Sequence, residues 1–489
     1  MNNLLKKMIE ENNTTQTNNG AKSYKSTGSD LLNFFSKGAA ERGDYESFID
    51  LLYKSLAEDG LLTIKILFYI RDIREGQGER DLFRYALNRL AITHSSTMIK
   101  NLHLIPLYGR WDDLYSFVNT PLQRHAFDLM KKQLEKDLRD LKMGNEISLL
   151  GKWMKSENTS SKVSKCLAKK TRKHLGLTSK EYRKILSKLR KQINIVESKM
   201  SKNLWNSIDY SKVPAQASRI YKNAFLNNDE ERYKTFLSKV ESGESKINAS
   251  TLYPYDIIKE VFVKKPNESN IRTLDALWNN LPNYMTEQEN SLVVVDVSAS
   301  MNNSAYCQIA PIYVSISLGM YMAERNTGFF KDYFFTFSET PELCKIKGNN
   351  IFEKCMYIKN SNWEMNTNLQ SVFDTILKTG IENDISKEEM PDKIYIISDM
   401  QFDSAIEGKT NYESIKIKYE KSGYDIPKIV FWDVYAENDT PAKIEDEGVF
   451  LISGCSPTIL KTAINSKAHN AYDFMLDVIE TDRYSDILY

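Results

Sequence analysis

Two patterns of apolar residues divide the chain near residue 287. From about residue 30 to 286, apolar positions recur at intervals of three and four residues, which is the periodicity of amphipathic helices. One such helix carries Ile64, Leu67, Phe68 and Ile70. Because short connectors favour antiparallel neighbours, the pattern predicts stacked helix pairs in an all-α, irregular helical-repeat region without a strict repeat period.

The remainder of the chain alternates apolar runs with helical patterns. The predicted strands are 291–295, 332–337, 394–398, 429–433 and 448–453. Continuous apolar runs with β-branched residues are typical of strands that are buried on both faces of a parallel sheet. Strands that alternate with helices predict an α/β, doubly wound, Rossmann-like domain.

The first 29 residues differ from both halves. They are rich in Asn, Thr, Lys and Ser, which is typical of a mobile segment. We therefore expect three parts: a flexible arm over 1–29, a helical-repeat domain over 30–286 and an α/β domain over 287–489.

Composition excludes several classes of protein. The 489 residues carry a net charge of +1, so no global field draws the chain to nucleic acid or to a membrane. No apolar run reaches about 18 residues and the N-terminus lacks a signal-peptide core, so we expect a cytoplasmic protein without a membrane span. A reducing compartment is also favoured by five scattered cysteines without a C-x-x-C pair: Cys166, Cys307, Cys344, Cys355 and Cys455.

Oxygen-bearing side chains follow the first predicted strand of the α/β half. Asp296 ends the apolar run, and Ser298 and Ser300 follow at alternate positions. Ligands of open α/β sheets bind at the carboxyl ends of strands, and hard oxygens suit Mg²⁺, Mn²⁺ or Ca²⁺. Because Asp and Ser also crowd ordinary turns, the D-x-S-x-S string alone leaves a plain turn as the alternative.

Two later positions favour the cation. Thr367 precedes a helical run, and Asp399 ends a second buried strand. All five positions together resemble the metal-ion-dependent adhesion site of von Willebrand factor A domains. By that resemblance Ser298 and Ser300 would ligate Mg²⁺, or another hard divalent ion, directly. Asp296, Thr367 and Asp399 would ligate it directly or through water, and a partner's carboxylate could replace one water. The alternative is that these residues brace the sheet edge without metal.

Positive charge is concentrated between residues 150 and 205. Only Glu157, Glu181 and Glu197 oppose it there. A solvated helix face explains an ordinary charge run, whereas a segment with so few acids favours binding of a polyanion. The candidate residues for this contact are Lys165, Lys169, Lys170, Arg172, Lys173, Arg183, Lys184, Arg190 and Lys191.

Two connectors of the helical half are unusually dense in charge. One is 71–81, which contains two glycines, and the other is 108–113, which places acids in the first turn of a helix. Neither is a P-loop, because G-K-[ST] is missing. The simpler interpretation is helix capping and helix-end electrostatics. The alternative is that Arg74, Arg80 and Arg110 line a surface that binds phosphates.

The order of the two halves resembles the Ro ribonucleoprotein (TROVE) architecture, in which a ring of HEAT-like helical repeats joins an A domain. Proteins of that kind bind structured and misfolded RNA. A closer resemblance is to the DUF2828 family, found in plants, fungi and large DNA viruses. It is carried from about residue 30 to 480 by the strings RDIREGQGERD (71–81), YGRWDD (108–113), DVSASM (296–301), WEMNTN (363–368), SDMQFD (398–403) and IVFW (429–432).

By this resemblance we expect a non-catalytic scaffold. Its helical half would bind structured or single-stranded RNA through the basic segment, and its A domain would dock an acidic protein partner through the cation. The alternative is a metal-dependent protein-interaction or assembly module without RNA, placed in the host cytoplasm or the virion if the chain is viral. No enzyme is expected, because the five histidines are scattered and no Ser-His or Cys-His signature is present.

Overall fold

The computed structural model describes residues 3–193, 195–263, 266–285, 289–302, 310–337, 340–361, 367–404, 409–437 and 439–489. Within these ranges a helix-rich half precedes a mixed, mainly parallel sheet, so the helical plus α/β architecture is confirmed. The four cysteines in these ranges, Cys166, Cys344, Cys355 and Cys455, form no disulfide with one another. Cys307 and residues 363–366 of the WEMNTN string lie outside the described residues.

Short connectors and 3₁₀ turns join the helices that precede the sheet. These helices are α1 (Asn3–Asn13), α2 (Asp30–Lys37), α3 (Tyr45–Glu58), α4 (Gly60–Arg71), α5 (Asp81–Thr93), α6 (Ser95–Asn101), α7 (Ile105–Tyr108), α8 (Gln123–Met143), α9 (Leu150–Trp153), α10 (Lys162–His174), α11 (Ser179–Gln192), α12 (Val196–Met200), α13 (Ala215–Asn228), α14 (Glu230–Glu241), α15 (Pro254–Val263) and α16 (Glu268–Asn279).

Local sequence signals fix where these helices begin. The Asp59 carboxylate accepts a hydrogen bond from the Leu62 main-chain N–H at 2.8 Å and caps α4. Thr178 and Glu181 form a capping box at the start of α11. In α4, eight of twelve residues are buried, so this helix lies inside the helical half and not on its surface.

Residues 3–29 are not a free arm, which corrects the expectation from composition. After α1, the strands β1 (Thr14–Gln16) and β2 (Lys22–Tyr24) form an antiparallel hairpin. Tyr24 exchanges two main-chain hydrogen bonds with Thr440, at 3.0 and 2.7 Å, in the α/β half. The expectation was wrong because a polar segment needs no apolar core of its own when another part of the chain satisfies its main-chain groups.

The main sheet has six strands in the order β5-β4-β3-β6-β7-β8. They are β3 (Ser291–Val295), β4 (Tyr333–Thr336), β5 (Leu343–Lys345), β6 (Lys393–Ser398), β7 (Lys428–Asp433) and β8 (Val449–Ser453). All neighbouring pairs are parallel except β4 with β5. The sequence pattern missed β5, because this edge strand has only three residues and its two end residues, Leu343 and Lys345, are exposed.

Helices lie between and after these strands. They are α17 (Pro311–Arg325), α18 (Ile351–Asn360), α19 (Leu369–Glu382), α20 (Asn411–Ser422), α21 (Leu460–Asn465) and α22 (Ala471–Ile479). α17 is buried along most of its length, where Gly319 lies close to the Val295 side chain. The alternation of strands and helices is the arrangement that the second apolar pattern predicted.

The two halves share one continuous apolar core. α2 packs against β8 and α22, where the Phe35 and Phe474 rings lie 6.4 Å apart, and the Ser453 hydroxyl donates to the Phe35 carbonyl at 3.1 Å. After α22 the chain returns to the helical half, where Arg483 donates to both Asp72 carboxylate oxygens at 2.7 and 2.9 Å. Unfolding of either half therefore exposes the apolar surface of the other.

Asp275 in α16 provides a test of this interface. Its carboxylate accepts a hydrogen bond from the Ile351 main-chain N–H at 2.6 Å, and burial raises its pKa to about 6. A carboxyl group with a raised pKa holds its proton more tightly in the folded state, so stability falls as pH rises from about 4 through about 6. Asp275→Asn keeps the acceptor oxygen and removes the charge. We expect its melting temperature to exceed that of the wild type by roughly 1–3 °C at pH 8 and to converge with it near pH 4.

The exposed Asp486→Asn serves as the control and should leave the pH profile of the melting temperature unchanged. If the melting temperatures of Asp275→Asn and the wild type were the same at every pH, the raised pKa of Asp275 would be contradicted.

Candidate cation site and nucleic-acid interface

The strand order brings two predicted site residues together. Starting from the central strand β3, the chain builds β4 and β5 on one side and then crosses to β6 on the other. Crevices for ligands form at such a reversal, at the carboxyl ends of the strands. Val295 of β3 pairs with Ile397 of β6, so Asp296 and Asp399 emerge from neighbouring strand ends.

Asp296 is 1% exposed and is held from two sides. One carboxylate oxygen accepts the Ser298 main-chain N–H at 2.8 Å, and the other accepts the Ser398 hydroxyl at 2.6 Å. The Asp296 main-chain N–H donates to the Ile397 carbonyl at 3.1 Å. The carboxylate therefore has a fixed direction at the sheet edge.

Three further predicted residues complete this edge. The Ser298 and Ser300 hydroxyl oxygens lie 3.0 Å apart, and a hydrogen bond from Ser300 to Asp399 lowers the pKa of that carboxyl against the larger effect of burial. Thr367 is 1% exposed and donates its hydroxyl proton to the Gln401 carbonyl at 2.6 Å. Gln401 in turn donates its main-chain N–H to an Asp399 carboxylate oxygen at 3.3 Å.

Buried negative charge accumulates at this edge. Burial, and after it the neighbouring Asp399 carboxylate, raise the pKa of Asp296 to about 7. Burial also raises the pKa of Asp399 above its ordinary value. In the described ranges no Lys, Arg or His forms an ion pair with either carboxylate. Two buried like charges without a counter-charge favour protonation or a bound cation.

The chemistry of these donors fits a hard divalent cation. The side chains offer carboxylate and hydroxyl oxygens, with no thiol or imidazole among them. In the part of the chain that the structure describes, no three His, Cys, Asp or Glu side chains are grouped to hold a metal. A cation here would therefore need the hydroxyls of Ser298, Ser300 and Thr367 in addition to the two carboxylates.

The sequence pattern missed two further residues at this edge. Ser398 donates to Asp296, and Asp433 ends β7 directly beside Ser398. Burial raises the pKa of Asp433 to about 8, and Asp399 contributes to the rise. Asp433 could have been predicted as a residue of this edge, because it too ends a buried parallel strand. Nothing in the sequence marked Ser398 as a partner of Asp296.

The two charged connectors of the helical half bind each other. The Asp113 carboxylate is fully buried and accepts hydrogen bonds from Arg71, at 2.9 and 2.7 Å, and from Arg84 at 2.7 Å. It also accepts the Arg110 main-chain N–H at 2.9 Å, which completes a cap on the following 3₁₀ turn. Arg71 is 1% exposed, so this ion pair lies in the core of the helical half.

The arginines that were considered as a phosphate surface are engaged within the protein. Arg74 donates to the Leu107 carbonyl at 2.7 Å, and Arg80 pairs with Asp81 at 2.7 Å. Arg110 pairs with Asp112 at 3.3 Å. These contacts agree with the interpretation of the connectors as caps and helix-end ion pairs.

The basic segment forms α10 and α11, and its candidate residues fall into two groups. Arg172 pairs with Glu157 at 2.8 Å, and Arg190 donates to the carbonyls of Gly151 and Met154 at 3.0 and 2.7 Å. Both arginines therefore brace the segment before α10, and Lys170 contacts Asn119. The other candidates have exposed side chains: Lys165, Lys169, Lys173, Arg183, Lys184 and Lys191.

A cleft of about 710 Å³ opens beside α11. Its basic lining residues are Lys152, Arg183, Arg190, Lys191 and Lys202, against the acids Glu157 and Glu197. Trp153 also lines the cleft, and the Arg110 guanidinium lies 4.2 Å from its ring centroid. A basic groove with an aromatic wall is the combination that contacts phosphates and stacks bases in proteins that bind single strands.

These features define a class of protein: a helical half followed by a mainly parallel α/β half whose carboxyl edge is rich in oxygen-bearing side chains. Residues 17–126 and 112–290 match the family model described as "Domain of unknown function (DUF2828)". Residues 290–484 match the family model described as "Domain of unknown function (DUF7788)". Because the former extends over more than half of the chain, the protein belongs to the DUF2828 family, as its strings predicted.

The chain is similar in sequence to a viral protein and in fold to a solved structure. The chain is 28% identical to the uncharacterized protein L728 of Acanthamoeba polyphaga mimivirus, over 96% of this chain and 87% of that protein. Its fold is similar to the crystal structure of the Deinococcus radiodurans Ro (RSR) protein, with a TM-score of 0.50 and 11% identity over 89% of this chain and 99% of that one. The latter similarity is one of fold, and it confirms the Ro-like order of the two halves.

Among the described helices, none combines the length and the apolar character that a membrane crossing requires.

Proposed function

We propose that the protein is a non-catalytic RNA-binding scaffold whose α/β half is a von Willebrand A domain. In this proposal the HEAT-like helical half binds RNA, and Asp296, Ser298, Ser300, Thr367 and Asp399 hold a Mg²⁺-like cation that docks an acidic partner. The cation would supply a Lewis-acidic position for a carboxylate. The protein's own residues would fix that position at the sheet edge, where Asp296 is 1% exposed and its carboxylate is oriented by Ser298 and Ser398.

The observation that carries the RNA half of this proposal is the cleft beside α11. Phosphate contacts with Lys and Arg supply most of the affinity of non-specific nucleic-acid binding, and an aromatic wall adds stacking. Lys191 and Arg183 line the cleft, and the exposed Lys184 lies on the same helix. A near-neutral chain that concentrates its positive charge here offers RNA one favoured surface.

The RNA prediction is tested with Arg183→Ala/Lys184→Ala/Lys191→Ala in the full-length chain. These side chains are solvent-exposed, so the fold should persist. We expect affinity for a labelled 20-nucleotide single-stranded RNA to fall roughly 10- to 100-fold at low salt. The slope of log affinity against log salt should fall by about 2, because each lost phosphate contact removes roughly 0.7. Fluorescence anisotropy at several salt concentrations measures both quantities.

The matched control replaces three exposed lysines of the α/β half, Lys378, Lys416 and Lys421, with alanine. It removes the same charge and should leave RNA affinity within about two-fold, because these lysines lie on the α/β half and do not line the cleft. Equal losses in the two triple variants, or no binding by the wild type at low salt, would refute RNA binding by the cleft. The assembly module without RNA would then be the better account.

A further inference from the structure

The N-terminal hairpin lies against the loops of the candidate cation site. Its turn is closed by Thr17, whose main-chain carbonyl accepts the Gly20 N–H at 3.0 Å and whose main-chain N–H donates to Ala21 at 2.9 Å. Gly20 has φ of +86°, a conformation that suits glycine in such a turn. Bridges join Gly20 to Asp403, and Lys22 to Thr410. The hairpin is thus an added layer on the loops that follow β6.

Side chains of the turn fasten it to the residues beside Asp399. The buried Thr17 hydroxyl donates to the Phe402 carbonyl at 2.7 Å, and the Asn18 main-chain N–H donates to the Gln401 side-chain oxygen at 2.7 Å. The Asn19 amide donates to the Gln401 carbonyl at 2.7 Å and to the Thr367 hydroxyl oxygen at 3.0 Å. Residue 19 therefore touches a proposed cation ligand from outside the α/β half.

The contact with Thr367 has a chemical consequence. A hydroxyl has one proton and two acceptor lone pairs. The Thr367 proton goes to the Gln401 carbonyl, and one lone pair accepts the Asn19 amide. The amide thus occupies one of the two lone pairs that a cation, or water bound to it, could use, and it stands on the side of Thr367 from which a partner would approach. Asn19 itself is exposed at the tip of the hairpin, whereas Ala21 and Tyr24 are buried, so displacement starts at the turn and has to expose these two side chains.

We propose that residues 14–24 are a latch on the docking surface of the cation site, held in the place of a partner's extended segment. This inference rests on the proposed function. In the docked state, the partner's carboxylate would take the position that residue 19 holds in the free protein. The partner's segment would then make the main-chain bridges that the hairpin makes in the free protein. Docking requires the latch to be displaced, so free protein is autoinhibited.

A first test places a carboxylate on the latch itself. Full-length Asn19→Asp puts an oxygen ligand beside Thr367, and we expect Mn²⁺ affinity in calorimetry to rise at least about ten-fold, because an added charged ligand tightens hard-cation sites. The matched control is Asn18→Asp, which adds the same charge at the neighbouring exposed position. It should change the affinity by less than about three-fold, because Asn18 makes its contact with Gln401 through the main-chain N–H, whereas the Asn19 side chain contacts Thr367. Equal Mn²⁺ affinities for the two variants would overturn the latch, whereas a wild type that binds no Mn²⁺ would overturn the cation site itself.

A second test opens the latch. Full-length Thr17→Ala/Asn19→Ala loses the hydroxyl and amide contacts while the proposed cation ligands are kept. The probe is a labelled peptide of residues 12–26 that carries Asn19→Asp. In Mn²⁺ we expect the variant to bind this peptide at least about ten-fold more tightly than the wild type, and EDTA to abolish binding. Equal binding to both proteins, or binding that survives EDTA, would overturn the proposal.

Discussion

Replacing Asp296 with alanine is expected to abolish divalent-cation binding by the full-length protein. The wild type should bind Mg²⁺ or Mn²⁺ in calorimetry, and Asp296→Ala should lower the affinity at least about 100-fold, because a charged ligand is removed from a small oxygen donor set. Mg²⁺ should also raise the melting temperature of the wild type and leave that of the variant unchanged, because only a cation bound to the folded state stabilises it.

The same variant separates a cation site from a hydrogen-bonded brace. In EDTA the wild type keeps two buried carboxylates close together, and burial, followed by the neighbouring charge of Asp399, raises the pKa of Asp296. Alanine removes that repulsion but also leaves Ser398 without its acceptor. Asp425→Ala, an exposed residue in a surface ion pair, is the control and should bind cations like the wild type. If the wild type binds neither Mg²⁺ nor Mn²⁺, the five residues only brace the sheet edge.

Asp113→Ala is expected to cause the largest loss of stability. Its carboxylate is the acceptor for Arg71, which is buried, and for Arg84. Removing one partner of a buried ion pair leaves an uncompensated charge and costs about 3–5 kcal/mol. Chemical denaturation of the full-length chain should show the transition at lower denaturant, with both halves unfolding earlier because they share one core.

The control for this prediction is Asp81→Ala, which breaks the exposed pair between Arg80 and Asp81. Surface pairs contribute about 0–1 kcal/mol, so its transition should stay close to that of the wild type. Similar transitions for Asp113→Ala and Asp81→Ala would show that the connector does not hold the helical half together. A phosphate-binding role for the connector would then deserve a direct binding measurement.

The spacing of apolar residues along the chain was sufficient to predict the architecture. The three- and four-residue spacing over 30–286 and the apolar runs after 287 correspond to the helices and to five of the six strands of the main sheet. This works because each half buries its apolar residues with the period of its own secondary structure. The edge strand β5 was missed, since a short strand at the end of a sheet carries almost no pattern.

The site was predictable in part for the same reason. Asp296 and Asp399 each follow a continuous apolar run, and parallel strands bring such ends to one edge of a sheet. Asp433 carries that signal as well and was left out of the site. The basic segment was visible as charge, but its division into exposed residues and bracing arginines such as Arg172 and Arg190 depends on packing.

The two halves and the strand ends that carry oxygen-bearing side chains could be read from the chain alone, because they depend on periodicity and on residue type, and the family could be read from its sequence strings. The partners of residues far apart in the chain became known from the folded arrangement. Arg71 meets Asp113, and Asn19 meets Thr367 across more than three hundred positions. Such contacts arise because polar groups in a compact chain take whichever acceptor the packing brings within reach, and no local pattern records that choice.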